Sequence, residues 1–430
     1  MPRHIFLSCV LIVLFGAAGF AQTEAPASSA APAAEAEKKQ VTSYALTPEQ
    51  YEKAVAYSRT QYQLHFVGTA YSLLLLLGIL AFRVAPRFRD WAERVSQRRF
   101  VQALVFVSLL FLTLAVLEIP LDAYGHKLAR QYDISIQGWG SWLWDWTKGQ
   151  LVGLCIMSVL IYFFYGVVRR SPRRWWLYSG LAIFPLAVLF IFLSPLLLDP
   201  LFNKFEPLET NNPALVGEIE KIVKHGGLDI PRERMFEMKA SEKLKAVNAY
   251  VTGFGTSKRV VVWDTTIANM TTPQTLFVVG HEMGHYVLGH IPRSIVFIGC
   301  LIICLLYLVY RSVLWAMARR QNRWSLRNLE DWASLPVLML FFSIFIFLAE
   351  PVFNTYSRYQ EHEADVYGLD VTNGIVPDSS QAAAGAFQVL GEIDLADPNP
   401  SPFIKVWLYS HPPLGERITF AYEYKPRPSE

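Results

Sequence analysis

The chain has 430 residues, 53% of them hydrophobic and 17% charged, with a net charge of +3. A soluble domain of ordinary composition carries about 25% charged residues, so the composition excludes one and points to a chain with much of its surface in lipid. The small net charge, with Arg residues clustered beside apolar runs, indicates membrane topology and argues against nucleic-acid binding.

Met1-Pro2-Arg3-His4 is followed by an apolar run from Ile5 to Ala18 and by Gly19-Phe20-Ala21. A basic start, an apolar core and small residues predict a signal peptide over 1–21, or else an uncleaved first membrane helix. The Ala/Pro/Ser/Glu-rich segment that follows predicts a disordered linker over 22–45. Thr47-Pro48-Glu49 then opens a helix, with a Thr cap, Pro in the first turn and an acid behind it.

Six hydrophobic stretches come next, near 64–84, 100–120, 150–168, 176–198, 293–315 and 333–353. Each approaches the ~20 residues that a helix needs to cross a bilayer. They predict an N-terminal membrane domain over 46–198 with about four transmembrane helices, and a second domain over 199–430 that holds the last two. Arg clusters follow the first, third and fifth stretches: Arg83 to Arg99, Arg169 to Arg174 and Arg311 to Arg327. These loops alternate so as to share one side, and basic loops face the cytoplasm. The soluble stretches 199–292 and 354–430 are then expected on the extracytoplasmic side of the membrane, where a cleaved signal peptide also places residue 22.

His281-Glu282-Met283-Gly284-His285 has the spacing H-E-x-x-H. Side chains four apart on a helix share a face, so two imidazoles address one ion while Glu282 projects beside them, placed to hold a water. Thr272 as cap and Pro273 in the first turn predict that the motif sits on a helix. A catalytic zinc takes three protein ligands and keeps a fourth position open. His290 misses the register for a third ligand, lying about 140° around a continuous helix from His285. Glu361 and Asp365, again four apart, are the better source: one carboxylate binds the ion while the other orients an imidazole.

These motifs resemble those of the membrane zinc metallopeptidases typified by the type 1 CAAX prenyl protease. The family pattern N-x-x-S/T-R-x-x-E-x-x-A-D is matched by Asn354, Ser357, Arg358, Glu361, Ala364 and Asp365. Pro200-Leu201-Phe202-Asn203-Lys204-Phe205, the strand Arg259 to Thr265, His411-Pro412-Pro413 and Glu416-Arg417-Ile418 extend the likeness over most of 41–422. The resemblance implies a mainly α, multi-pass membrane protein with a zincin-like metallopeptidase domain containing a small β-sheet. It implies one Zn2+ per chain on His281, His285 and Glu361, with Glu282 as general base. His411 would stabilise the oxyanion, and Arg417 would support the site, with Asp365 as its partner. Asn248, Ala249 and Tyr250 would hold the substrate backbone as an added strand. Eukaryotic members open towards the cytosol, whereas the Arg distribution here predicts the opposite side.

The expected function is a metalloendopeptidase of the bacterial cytoplasmic membrane that cuts peptides or membrane proteins. The alternative is a non-catalytic scaffold or chaperone-like protein that keeps a structural zinc site.

Overall fold

The computed structural model describes residues 40–253 and 258–425. The signal peptide or first helix expected over 1–21 and most of the 22–45 linker lie outside them. Of the expected linker only residues 40–45 are described, and two glutamines bind their backbone. Gln381 Oε1 accepts from Val41 N at 2.9 Å, and Gln388 Oε1 accepts from Ala45 N at 3.2 Å.

Thr47 caps helix α1 (Pro48–Ala81) through a capping box with Gln50. Then come α2 (Val84–Val95), α3 (Arg99–Gln131), α4 (Trp139–Arg170) and α5 (Trp175–Leu193). Strands β1 (Phe205–Pro207) and β2 (Met235–Met238) flank α6 (Pro213–His225), and β3 (Ala249–Thr252) and β4 (Arg259–Trp263) follow. The chain continues through α7 (Asp264–Asn269), α8 (Thr272–Val287), α9 (His290–Trp324) and α10 (Leu335–Thr372). It closes with α11 (Ser379–Asp394), α12 (Pro402–Leu408) and α13 (Leu414–Glu423).

The fold is mainly α and multi-pass. Among the described residues α1, α3, α4, α5, α9 and α10 are long and apolar enough to cross a membrane, and the six hydropathy runs coincide with them. The first run ends early because Arg83 takes a left-handed φ of 55° and separates α1 from α2. The three Arg-rich loops meet at one end of the bundle. Arg89 Nη1 lies 2.6 Å from Asp331 Oδ2, and Arg327 Nη1 lies 2.7 Å from Glu93 Oε1. Arg169 stacks on Trp332, its guanidinium carbon 5.6 Å from the ring centre. From Trp332 to Glu361 the helix runs about 40 Å, which exceeds the ~30 Å hydrocarbon core. The Arg-rich end and Glu361 are thus separated along α10 by more than the thickness of the hydrocarbon core.

The sheet has strand order β1-β2-β4-β3, with β2 and β4 parallel and the outer pairs antiparallel. β3 is an edge strand and packs against α8. The soluble core is built on α6, the sheet, α8, α11 and the end of α10, with Ile219, Ile222, Val260, Phe277 and Phe387 all buried.

α8 and α10 cross at unusually short range, and glycine permits it. A Cβ on Gly280 would meet Val371 Cγ1 at 2.9 Å, and one on Gly284 would meet Ala364 Cα at 3.2 Å. From the other side, a Cβ on Gly368 would meet the backbone nitrogen of His281 at 3.0 Å. The glycine inside the H-E-x-x-H motif is thus a packing residue.

Candidate metal centre

The cap of α8 is Thr271, not Thr272: Thr271 forms a capping box with Gln274 and leaves Pro273 within the first turn. The Gln274 side chain reaches back to the cap nitrogen, and no glutamine stands in the matching place for Thr272. From this start, α8 brings His281 and His285 to the face crossed by α10, which supplies Glu361 and Asp365.

Three residues come together as a possible metal set, His281, His285 and Glu361. The two Nε2 atoms lie 3.2 Å apart. The Glu361 carboxylate is 3.3 Å from His281 Nε2 and 3.4 Å from His285 Nε2. A tetrahedral ion with bonds of about 2.0–2.1 Å requires ligand atoms about 3.3–3.4 Å apart, and these contacts, Oε2 to His281 and Oε1 to His285, are of that size. Glu361 is buried, and its Oε2 meets His281 Nε2 at 3.3 Å, with the Arg417 guanidinium no nearer than 3.8 Å. A buried carboxylate is costly unless a cation satisfies it. The residues present therefore fit a metal ion.

The atoms behind the ligands are also arranged. His281 Nδ1 lies 2.8 Å from Asp365 Oδ1, an ion-pair distance that favours a proton on Nδ1 and leaves Nε2 facing Glu361. Asp365 is gripped at two points by Arg417, Nε to Oδ2 at 2.9 Å and Nη2 to Oδ1 at 2.5 Å. Arg417 itself lies over the Phe387 ring, 4.2 Å from its centre. In the ion-free site burial alone would lower the His281 pKa. The hydrogen bonds to Asp365 and Glu361 outweigh it and raise the value to about 10. His285 has no such carboxylate behind it, and burial pushes it down to about 3.

His290 is not one of the three ligands, yet it touches the site. The register argument assumed a continuous helix, but Gly289 has a φ of 67° and breaks the chain between α8 and α9. His290 Nδ1 then lies 2.9 Å from His285 Nδ1, and His290 Nε2 is 3.3 Å from Glu363. A glycine eight residues after the first motif histidine was the only signal of that turn.

Glu282 is partly buried and has no hydrogen-bond or ion-pair partner among the described residues. Burial, helped by the Glu361 charge, raises its pKa to about 7. His411 arrives from the segment between α12 and α13, its Nε2 3.3 Å from Glu361 Oε1. Burial lowers its pKa. Asn248 precedes β3, which carries Ala249 and Tyr250, and its carbonyl accepts from Trp263 N at 3.0 Å and Thr266 Oγ1 at 2.7 Å. Beyond β3 the sheet has no further strand among the described residues. His65 pairs with Glu350 at 2.9 Å, and His126 stacks on Trp142 with ring centres 5.1 Å apart, both away from the ligand triangle.

The profile described as peptidase family M48 matches residues 209–425. A second, described as the CAAX prenyl protease N-terminal region with five membrane helices, matches 34–204. An uncharacterized metalloprotease of Bacillus subtilis, YhfN, is 33% identical over 378 residues, covering 87% of this chain and 86% of its own. CAAX prenyl protease 1 of Saccharomyces cerevisiae is 26% identical over 399 residues, covering 86% and 85%. The crystal structure of Ste24p from S. mikatae superposes with a TM-score of 0.75 at 23% identity, over 98% of this chain and 97% of that one, and so shares the fold.

Proposed function

Since the chain belongs to peptidase family M48 and is a multi-pass integral membrane metallopeptidase, we propose that it is a zinc-dependent endopeptidase cutting peptides or membrane-associated proteins on the extracytoplasmic side. The observation that carries this reading is the triangle of His281, His285 and Glu361 with an unpartnered carboxylate, Glu282, beside it.

Zinc bound at that triangle supplies Lewis acidity, which lowers a water's pKa to about 7 and polarises the scissile carbonyl. Glu282 is the general base: standing unpaired beside the ligand set, it takes a proton from the attacking water and returns it to the leaving amine. Asp365 holds His281 in the tautomer that presents Nε2, and Arg417 keeps Asp365 ionised and oriented. His411 Nε2 faces the developing oxyanion. The free edge of β3, entered through Asn248, pairs with the substrate backbone and lays it along α8.

The test is Glu282→Gln in the purified full-length protein. Zinc content, measured by metal analysis, should stay at one per chain. Chelator-sensitive cleavage of a generic peptide should fall by about 10²–10⁴-fold. Cleavage equal to wild type would remove the general-base role. A wild-type protein that holds zinc but cleaves nothing would favour a structural ion.

A further inference from the structure

We propose that Asn354 and Arg358 are positioning residues for His411, holding the segment that carries it by its backbone carbonyls. The inference rests on the reading of His411 as the oxyanion partner.

Apolar packing is only part of how His411 reaches the ligands: Phe403 and Trp407 lie against Phe66, with ring centres 5.9 and 6.3 Å away, and Trp407 lies 5.1 Å from Phe347. The preceding helix, α12, has seven residues, none of them buried, and Phe403 and Val406 are exposed. An isolated helix of that length has little stability of its own. Its last carbonyls also lack partners within the helix. In this structure α10 supplies them. Arg358 Nη1 donates to the Lys405 carbonyl at 3.0 Å and to the Tyr409 carbonyl at 2.5 Å, and Asn354 Nδ2 donates to the Trp407 carbonyl. Arg358 Nη2 bonds Thr355 Oγ1 at 2.8 Å, which fixes the plane of the guanidinium. Both carbonyls are met by Nη1, whose two N–H directions are fixed once Nη2 is tied to Thr355; a lysine ammonium has no second nitrogen to hold its orientation.

One turn earlier on α10, Glu350 Oε2 accepts from Trp407 Nε1 at 3.0 Å and lies 2.9 Å from His65 Nε2 on α1. Tyr62, also on α1, meets Tyr409 hydroxyl to hydroxyl at 2.8 Å. Two residues beyond Tyr409 the imidazole of His411 stands 3.3 Å from Glu361, with its Nδ1 2.9 Å from Ser410 Oγ. The strap is thus fixed by the helix that bears the third ligand, with a second attachment to the N-terminal bundle.

A double-mutant cycle in the full-length protein tests this: Arg358→Ala, His411→Ala and the pair, with kcat and KM on one peptide and zinc affinity by chelator competition. Removing an oxyanion donor lowers kcat by about 10²–10³-fold, and His411→Ala should approach that. Arg358→Ala should lower kcat by about tenfold or more with zinc affinity unchanged, and should add less than about twofold once His411 is gone. Arg358→Lys should recover only part of the loss. Should Arg358→Ala fail to fold, Asn354→Ala takes its place in the same cycle. Additive losses, or zinc affinity falling in step with kcat, would overturn the inference and leave the role of His411 standing. A neutral His411→Ala would remove that role and, with it, this inference.

Discussion

Gly368→Ala is a sensitive probe of how the site is built, because the added atom lies outside the ligand set. The new Cβ would stand 3.0 Å from His281 N, 3.2 Å from His281 Cα and 3.1 Å from Phe277 Cε2. Relaxed contacts between heavy atoms lie at about 3.5–4.0 Å, so something must yield by about half an ångström. Two of the three neighbours are helix backbone. The third belongs to a ring that is 1% exposed and edge-on to Phe387 at 5.2 Å, so it has no free space to turn into. The movement therefore falls on the separation of α8 and α10. Glu361 would withdraw from His281 and His285, taking contacts of 3.3 and 3.4 Å to about 3.8 Å, beyond the edge a tetrahedral zinc site allows. Overpacking costs about 1–3 kcal/mol, and the better helix propensity of Ala returns about 1 kcal/mol, so global stability should fall by no more than about 2 kcal/mol. Zinc affinity by chelator competition should fall at least tenfold, and kcat/KM should fall with it. Gly217→Ala is the control: nothing lies within 4 Å of its Cβ position on α6, and zinc affinity should not change. A Gly368→Ala protein that binds zinc and cleaves within about twofold of wild type would refute this account of the helix crossing.

Two further expectations concern the ligand sphere and the topology. His290→Ala removes the only imidazole behind His285 Nδ1, and zinc affinity should weaken by about 10–100-fold without loss of the folded state, as read by competition and thermal melting; unchanged affinity would make His290 a packing residue. For orientation, Lys221→Cys on exposed α6 should react with an impermeant thiol reagent in intact cells, whereas Arg94→Cys should react only after permeabilisation. The reverse pattern would place the site on the cytoplasmic side.

Much of the membrane architecture was legible in the sequence because hydropathy over about 20 residues is a one-dimensional property. The helix ends were less so: α10 runs from Leu335 to Thr372, well past its apolar stretch, since the soluble core continues the same helix. In the site, the pairs His281/His285 and Glu361/Asp365 follow from helical periodicity alone. His290 escaped because its place depends on one backbone dihedral, at Gly289, and periodicity fails where a helix breaks. The shift of the cap from Thr272 to Thr271 has a similar origin, for either Thr satisfies a local rule and only the reciprocal bond from Gln274 decides between them.

Asn354 and Arg358 were legible as a pattern, yet their contacts were not, because carbonyl acceptors leave no mark in a sequence. The structure supplies the reason for their spacing. Glu350, Asn354, Arg358, Glu361, Asp365 and Gly368 fall within an arc of about 80° on α10 at 100° per residue. Along that stripe come the attachment to the N-terminal bundle, the grip on the His411 segment, the carboxylates that meet His281 and the close crossing with α8. One continuous helix, with Pro351 just after Glu350, thus carries parts of the site that are distant in sequence, and a change in its tilt would reach all of them together.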